Sequence, residues 1–204
     1  MRASSGRWPK INRRTVVAIT AGLVVLGFWW WPGLVGRGAD VDVSVHVNPD
    51  FAPGRESIER RLREQGWRVE WSEHDVDWCD VADEVEQSDS EADDIVLWMP
   101  TGATCGASAD IASDIASDIA ASAKGRTLHV VDISTGRDPV VDALVALGAR
   151  VVEAGRLVGE PGTTADCLWW EDCPATGRID TWSGDQLSPA GLERVARAIV
   201  AEVR

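Results

Sequence analysis

Asp94–Met99 (DIVLWM) and Thr127–Ile133 (TLHVVDI) are apolar almost throughout, and each is followed by a helical pattern. A strand apolar on both sides of its pleat must be covered on both faces, which is the habit of parallel sheets rather than of one-sided antiparallel ones. Three further strands fit the same plan. Val41, Val43, Val45 and Val47 alternate with Asp42, Ser44 and His46 up to Asn48-Pro49; Trp67, Val69 and Trp71 share one face of a second strand; Arg150–Glu153 is a short last one. Between them the spacing predicts helices over Gly54–Gln65, with Ile58 and Leu62 inward and Gly66 as C-cap, over Ala107–Lys124, and over Asp138–Leu147. The segment Ser72–Ala92 is acidic and irregular, with a short helix around Val81–Val85. Strands alternating with helices indicate an α/β fold: a mostly parallel sheet of about five strands with helices on both faces. The ligand crevice of such a sheet lies beyond the carboxyl ends of its strands. Asn48-Pro49-Asp50, Thr101–Gly106 and Asp132–Gly136 are delivered there.

The N-terminus belongs to another environment. Arg2, Arg7, Lys10, Arg13 and Arg14 precede 22 uncharged residues, Thr15–Gly36, which suffice to cross a bilayer core as a helix. Basic residues in front keep that end in the cytoplasm, and Trp29, Trp30 and Trp31 suit the far interface. The expected organisation is therefore a cytoplasmic tail (1–14), a signal anchor (15–36), a linker (37–40) and an extracytoplasmic domain (41–204). The alternative is a cleaved signal peptide, against which stand the long apolar stretch and a flank in which Arg37 and the three Trp make a poor small-x-small cleavage site. Residues 40–204 hold 14 basic and 33 acidic side chains, a net of −19. Such a surface repels nucleic acid and anionic lipid.

Four Cys agree with export. They allow three pairings, of which Cys79–Cys105 and Cys167–Cys173 close the shortest loops and are expected. Neither pair has zinc-knuckle spacing and the three His are scattered, so no metal site is expected. No glycine-rich phosphate loop is present, and no cofactor is expected. Ile111, Ile115 and Ile119 form one row of their helix and Asp110, Asp114 and Asp118 another, read as a solvated face. Seven of the eleven Trp lie beyond residue 40, mainly as core material.

The stretch Thr181–Arg204 carries the most specific pattern. Ser188 can cap a helix that starts at Pro189, and Leu192, Val195, Ala196, Ile199, Val200 and Val203 give it one apolar face. The frame Gln186-Leu187-Ser188-Pro189-Ala190-Gly191 resembles the closing block of the SGNH (GDSL-like) esterase and acyltransferase superfamily, in which Asp-x-x-His precedes Leu-(Ser/Thr)-Pro-x-Gly and a last helix. The resemblance implies a three-layer, flavodoxin-like sandwich over about 41–204. It also implies where the reactive groups would stand. Gln186 takes the place of the His, Ser183 that of the Asp, and Asp50 follows strand 1 where the family has its nucleophilic Ser. Gly102 matches the oxyanion block but its Asn is absent, with Thr104 the nearest polar substitute. A carboxylate at Asp50 is a poor nucleophile for an ester and opposes the oxyanion; capping the next helix is its simpler role.

The expectation is thus a non-catalytic domain with a vestigial cleft at Asp50, Gly102, Thr104, Ser183, Asp185 and Gln186. It would bind an envelope glycan or a protein partner, such as the membrane acyltransferases that work beside some relatives of the resembled family. Trp169 and Trp170, beside the Cys167–Cys173 loop, are candidate contacts for a sugar or a protein. The alternative is a divergent esterase or O-acyltransferase, with Ser134 as nucleophile and His46 or His74 as base. A third reading is an unrelated α/β domain of the flavodoxin or response-regulator shape.

Overall fold

Five parallel strands carry the structure: β1 (Val43–Val47), β2 (Val69–Glu73), β3 (Asp94–Trp98), β4 (Thr127–Asp132) and β5 (Arg150–Glu153). Their order across the sheet is β2-β1-β3-β4-β5, the flavodoxin-like order. The computed structural model describes residues 42–75, 78–87, 91–99, 109–133 and 138–203. The expected membrane segment 15–36 with its flanks, the loop 100–106 and Ser134 lie outside these residues. Among the described residues no helix is long and apolar enough to cross a membrane. Asp40–Arg204 form one unit of the chain.

Helices α1 (Arg55–Glu64) and α6 (Pro189–Glu202) cover one face of the sheet, where Val43, Val45, Val47, Val96, Trp98 and Val131 meet Ile58, Leu62, Val195 and Ile199. Helices α2 (Val81–Gln87), α3 (Ala109–Ser122) and α4 (Pro139–Ala146) cover the other, against Ile95, Leu97, Leu128 and Val130. Each such side chain, fully buried, gains about 1.5–3 kcal/mol over its exposed state, so both layers are needed. The three-layer α/β architecture expected of the sequence is present.

Local differences have local causes. Strand β2 starts at Val69 rather than Trp67. The Trp67 amide instead bonds to the Leu62 carbonyl, closing α1, and the Arg68 amide bonds to the Asp42 carboxylate. A 3-10 helix (Pro49–Gly54) precedes α1, and its cap is Asn48, whose side chain accepts from the Asp50 amide at 3.0 Å. Asp50 is therefore exposed rather than capping. On α3 the buried row is Ala112, Ala116, Ile119 and Ala123, while Ile111 is 43% exposed. Residues four apart drift about 40° around a helix, which carries Ile111 out of the interface. Asp110, Asp114 and Asp118 face solvent as expected.

Strand β1 is buried on both faces in spite of its alternating pattern. Ser44 and His46, the polar half of that alternation, lie under the α2 side with no exposed surface. They consequently need partners inside the protein.

Between β5 and α6 the chain makes a short helix α5 (Gly155–Val158), the antiparallel pair β6 (Thr164–Asp166) and β7 (Arg178–Asp180), and the small hairpin β8 (Trp182–Ser183) and β9 (Gln186–Leu187). Ser188 then caps α6 as expected, its oxygen accepting from the Gly191 amide at 3.2 Å, with Pro189 in the first turn. The Ser188 hydroxyl donates to the Asp180 carbonyl at 2.7 Å, and the Ser188 amide to the Thr181 carbonyl at 2.9 Å. Helix and insertion touch so closely that a Cβ on Gly191 would lie 2.2 Å from the Thr181 carbonyl oxygen. The glycine of the Leu-Ser-Pro-x-Gly frame is thus a packing requirement. Gly191→Ala is expected to lower stability by about 2 kcal/mol, the cost of overpacking against backbone, read as a shift in the urea midpoint.

Candidate functional site

The cleft beyond the strand ends has a volume of about 420 Å³ and is lined by Asp50, Phe51, Ile133, Pro161, Trp182, Asp185, Gln186 and Leu187. Its floor is rigid. Phe51 stacks on the buried Trp98 with ring centroids 4.5 Å apart, and the Trp182 indole donates to the Val158 and Gly159 carbonyls, both at 3.1 Å. Its rim is polar. Gly184, at φ 64°, makes the two-residue turn of the β8–β9 hairpin, which sets Ser183 opposite Gln186 and turns Asp185 and Gln186 to the cleft. Of the residues expected there, Asp50, Asp185 and Gln186 come together; Ser183 is exposed across the hairpin and does not line the cleft. Gly102 and Thr104 lie outside the described residues. Phe51 and Trp182 were not anticipated in this role, because nothing in a sequence tells a core aromatic from one that breaks the surface.

The cleft contains no imidazole, since all three His of the chain are engaged elsewhere. His129 is buried at the amino ends of β3 and β4, with Nε2 2.8 Å from the Asp94 carboxylate. His46 and His74 are distant in sequence but joined in space, which corrects the expectation of scattered histidines. His46 Nδ1 lies 3.1 Å from His74 Nε2, His74 Nδ1 lies 2.9 Å from a Glu84 oxygen, and Ser44 Oγ lies 2.9 Å from His46 Nε2. Ring centroids 5.3 Å apart, with nitrogens only 3.1 Å apart, mean that the two rings meet nitrogen to nitrogen rather than face to face. An ionised Glu84 can only accept, so His74 donates from Nδ1. Its Nε2 then accepts from His46 Nδ1–H, and His46 Nε2 accepts the Ser44 hydroxyl. The order is that of a serine, a base and an acid, yet Ser44 and His46 are sealed beneath α2 on the sheet face opposite the cleft packing.

A second polar cluster holds the Trp-rich loop. Arg194 of α6 is 1% exposed. Its Nε and Nη2 each donate to one oxygen of Glu171, both at 2.6 Å, while Nη2 also reaches the Asp166 carbonyl at 2.8 Å and Nη1 the Leu157 carbonyl. Glu171 further accepts from the Leu168 amide at 2.7 Å. The Arg194 hydrogen bonds hold the Glu171 carboxyl below the usual range. The Cys167–Cys173 disulfide closes the loop as expected, with Cα atoms 6.1 Å apart. Cys79 is also disulfide-bonded, and Cys105 lies outside the described residues. The group of three potential metal ligands found among the described residues is Cys167, Glu171 and Cys173; its sulfurs are joined and its carboxylate is held by Arg194. Trp170 lies over the Arg197 guanidinium at 4.0 Å, and Arg197 in turn donates to Glu193, which binds Arg60 and Arg61 of α1. Trp169 stands clear of all this, 92% exposed.

No protein-family model matches the chain, and no curated protein does. Among solved structures it is similar to a flavodoxin-like domain from a Synechococcus protein, with 22% identity over 77% of this chain and 92% of that chain and a TM-score of 0.39. The strand order, rather than this likeness, identifies the fold as flavodoxin-like.

Two measurements follow. Burial, then the nearby His74 and Arg126, lower the His46 pKa from 6.5 to about 4. Below pH 6.5 the unfolded chain takes up a proton that the folded chain refuses until about pH 4. Stability from this residue therefore declines as pH falls through that window, by about 3 kcal/mol in all. Urea midpoints at pH 7 and pH 4.5 should differ less in His46→Gln than in the parent. Glu171→Gln leaves Arg194 buried without its counter-charge and is expected to cost about 3 kcal/mol by the same assay.

Proposed function

We propose that residues 41–204 are an SGNH-like domain that binds rather than cleaves. It would be held outside the cytoplasm by an anchor at 15–36 and act in the assembly or modification of cell-envelope polysaccharide. The observation that carries this reading is the cleft itself. The residues standing at the nucleophile and base positions of the resembled block, Asp50 and Gln186, line one cavity over an aromatic floor, and no imidazole reaches it. A carboxylate, an amide and a flat indole suit hydroxyl-rich ligands: Asp50 and Asp185 accept from sugar hydroxyls, Gln186 both donates and accepts, and Trp182 offers an apolar ring face. Without base and nucleophile, little beyond binding remains of the hydrolytic machinery.

A divergent esterase or O-acyltransferase is the competing reading, and one observation favours it, the Ser44–His46–His74–Glu84 chain. Its serine has no exposed surface, so an ester could reach it only if α2 left the sheet.

Purified residues 40–204 separate the two. The binding reading expects no hydrolysis of p-nitrophenyl acetate above buffer and no labelling by a fluorophosphonate. It also expects calorimetric binding of cell-wall polysaccharide fragments, weakened about ten-fold or more by Trp182→Ala or Gln186→Ala. Turnover that the probe blocks and Ser44→Ala abolishes would overturn it.

A further inference from the structure

We propose that Trp169 is the knob of a protein–protein contact and inserts into an apolar pocket with a basic rim on the partner. This surface is separate from the cleft and does not depend on the glycan reading. Among the described residues, the other large exposed apolar side chains are Ile111, Val145 and Leu147, exposed to between 37% and 54% on or just beyond helices α3 and α4. Trp169, at 92%, is of another kind.

The loop beneath it is built to hold still. The disulfide joins its two ends, Glu171 is gripped through both oxygens by the buried Arg194, the Leu168 amide is tied to Glu171, and the neighbouring Trp170 rests on Arg197. A side chain on a loop so restrained loses little entropy on docking, and a fully exposed indole gains a large area. Trp, with Tyr and Arg, is enriched among the residues that carry most of the binding energy of protein interfaces.

The exposure also separates the classes of partner. An indole that serves as a sugar platform is backed by protein on one face; Trp169 has both faces and its edge in solvent, the shape of something inserted rather than stacked upon. A bilayer would accept an indole, but the carboxylates beside it would not follow. Asp166, Asp172 and Asp180 are exposed in or beside the loop, and the exposed cation Arg178 already lies 3.8 Å from Asp166. With a net of −19 over residues 40–204, the surface is complementary to a basic rim and repelled by anionic lipid.

A photo-reactive benzophenone side chain at the exposed Ala175 of the full-length chain, expressed in its own cells, tests this. The expected result is one protein adduct whose cross-linked peptide lies beside Arg or Lys. Its yield should fall about ten-fold or more in Trp169→Ala and in Asp166→Lys/Asp172→Lys, and far less in Trp169→Phe. An adduct indifferent to Trp169→Ala, an adduct to lipid or glycan alone, an acidic partner peptide, or no adduct would overturn the proposal. Gln186→Ala, which reports on the cleft, is expected to leave the adduct unchanged, so the two readings fail separately. Unaltered thermal unfolding of Trp169→Ala excludes loss of the fold as the cause.

Discussion

The Arg194–Glu171 pair is the contact on which the upper half of the molecule depends. A guanidinium with 1% exposure is costly unless its donors are answered, and here a bidentate carboxylate and two carbonyls take four of its five N–H groups. Those acceptors come from three separate places: the end of α5, strand β6 and the Trp-rich loop. One side chain on α6 therefore ties three points of the segment 155–187 together. That segment in turn supplies Trp182, Asp185 and Gln186 to the cleft. The pair's contribution is directional: its hydrogen bonds fix where the insertion sits.

The layered fold was legible because it rests on periodicity and caps. Apolar runs at β3 and β4 and Ser188-Pro189 at the start of α6 act locally, so sequence alone places them. The cleft was legible in part: Asp50 after β1 and Asp185 and Gln186 ahead of α6 meet there, whereas Ser183 becomes the cross-strand partner of Gln186 and stays outside. Other features were not, because they are set by tertiary neighbours. Arg194 falls within an amphipathic helix and looks like any solvent-facing arginine. The alternation of β1 reads as one dry and one wet face, but α2 covers the wet one and makes Ser44 and His46 interior residues. Their link to His74 spans 28 residues and leaves no local trace.

The two polar constellations are kept on opposite sides of the sheet, and chemistry follows from that separation. A serine with an imidazole and a carboxylate behind it becomes reactive only where a carbonyl can approach and an oxyanion can be held. The chain that has the hydrogen-bond order lacks the opening. The cavity that has the opening lacks the base. In the first, the hydrogen bonds from His46 to His74 and from His74 to Glu84 tie the short helix α2 to strand β1 beneath it.

The position of α6 has a consequence for synthesis. It follows every strand in the chain, yet Leu192, Val195, Ala196, Ile199 and Val200 form much of one wall of the core. While the ribosome is still making these residues, the valines of β1 have α1 beside them but no α6 above them. The nascent domain must therefore wait with an oily face open, the condition in which holding chaperones engage chains and premature termination yields aggregates.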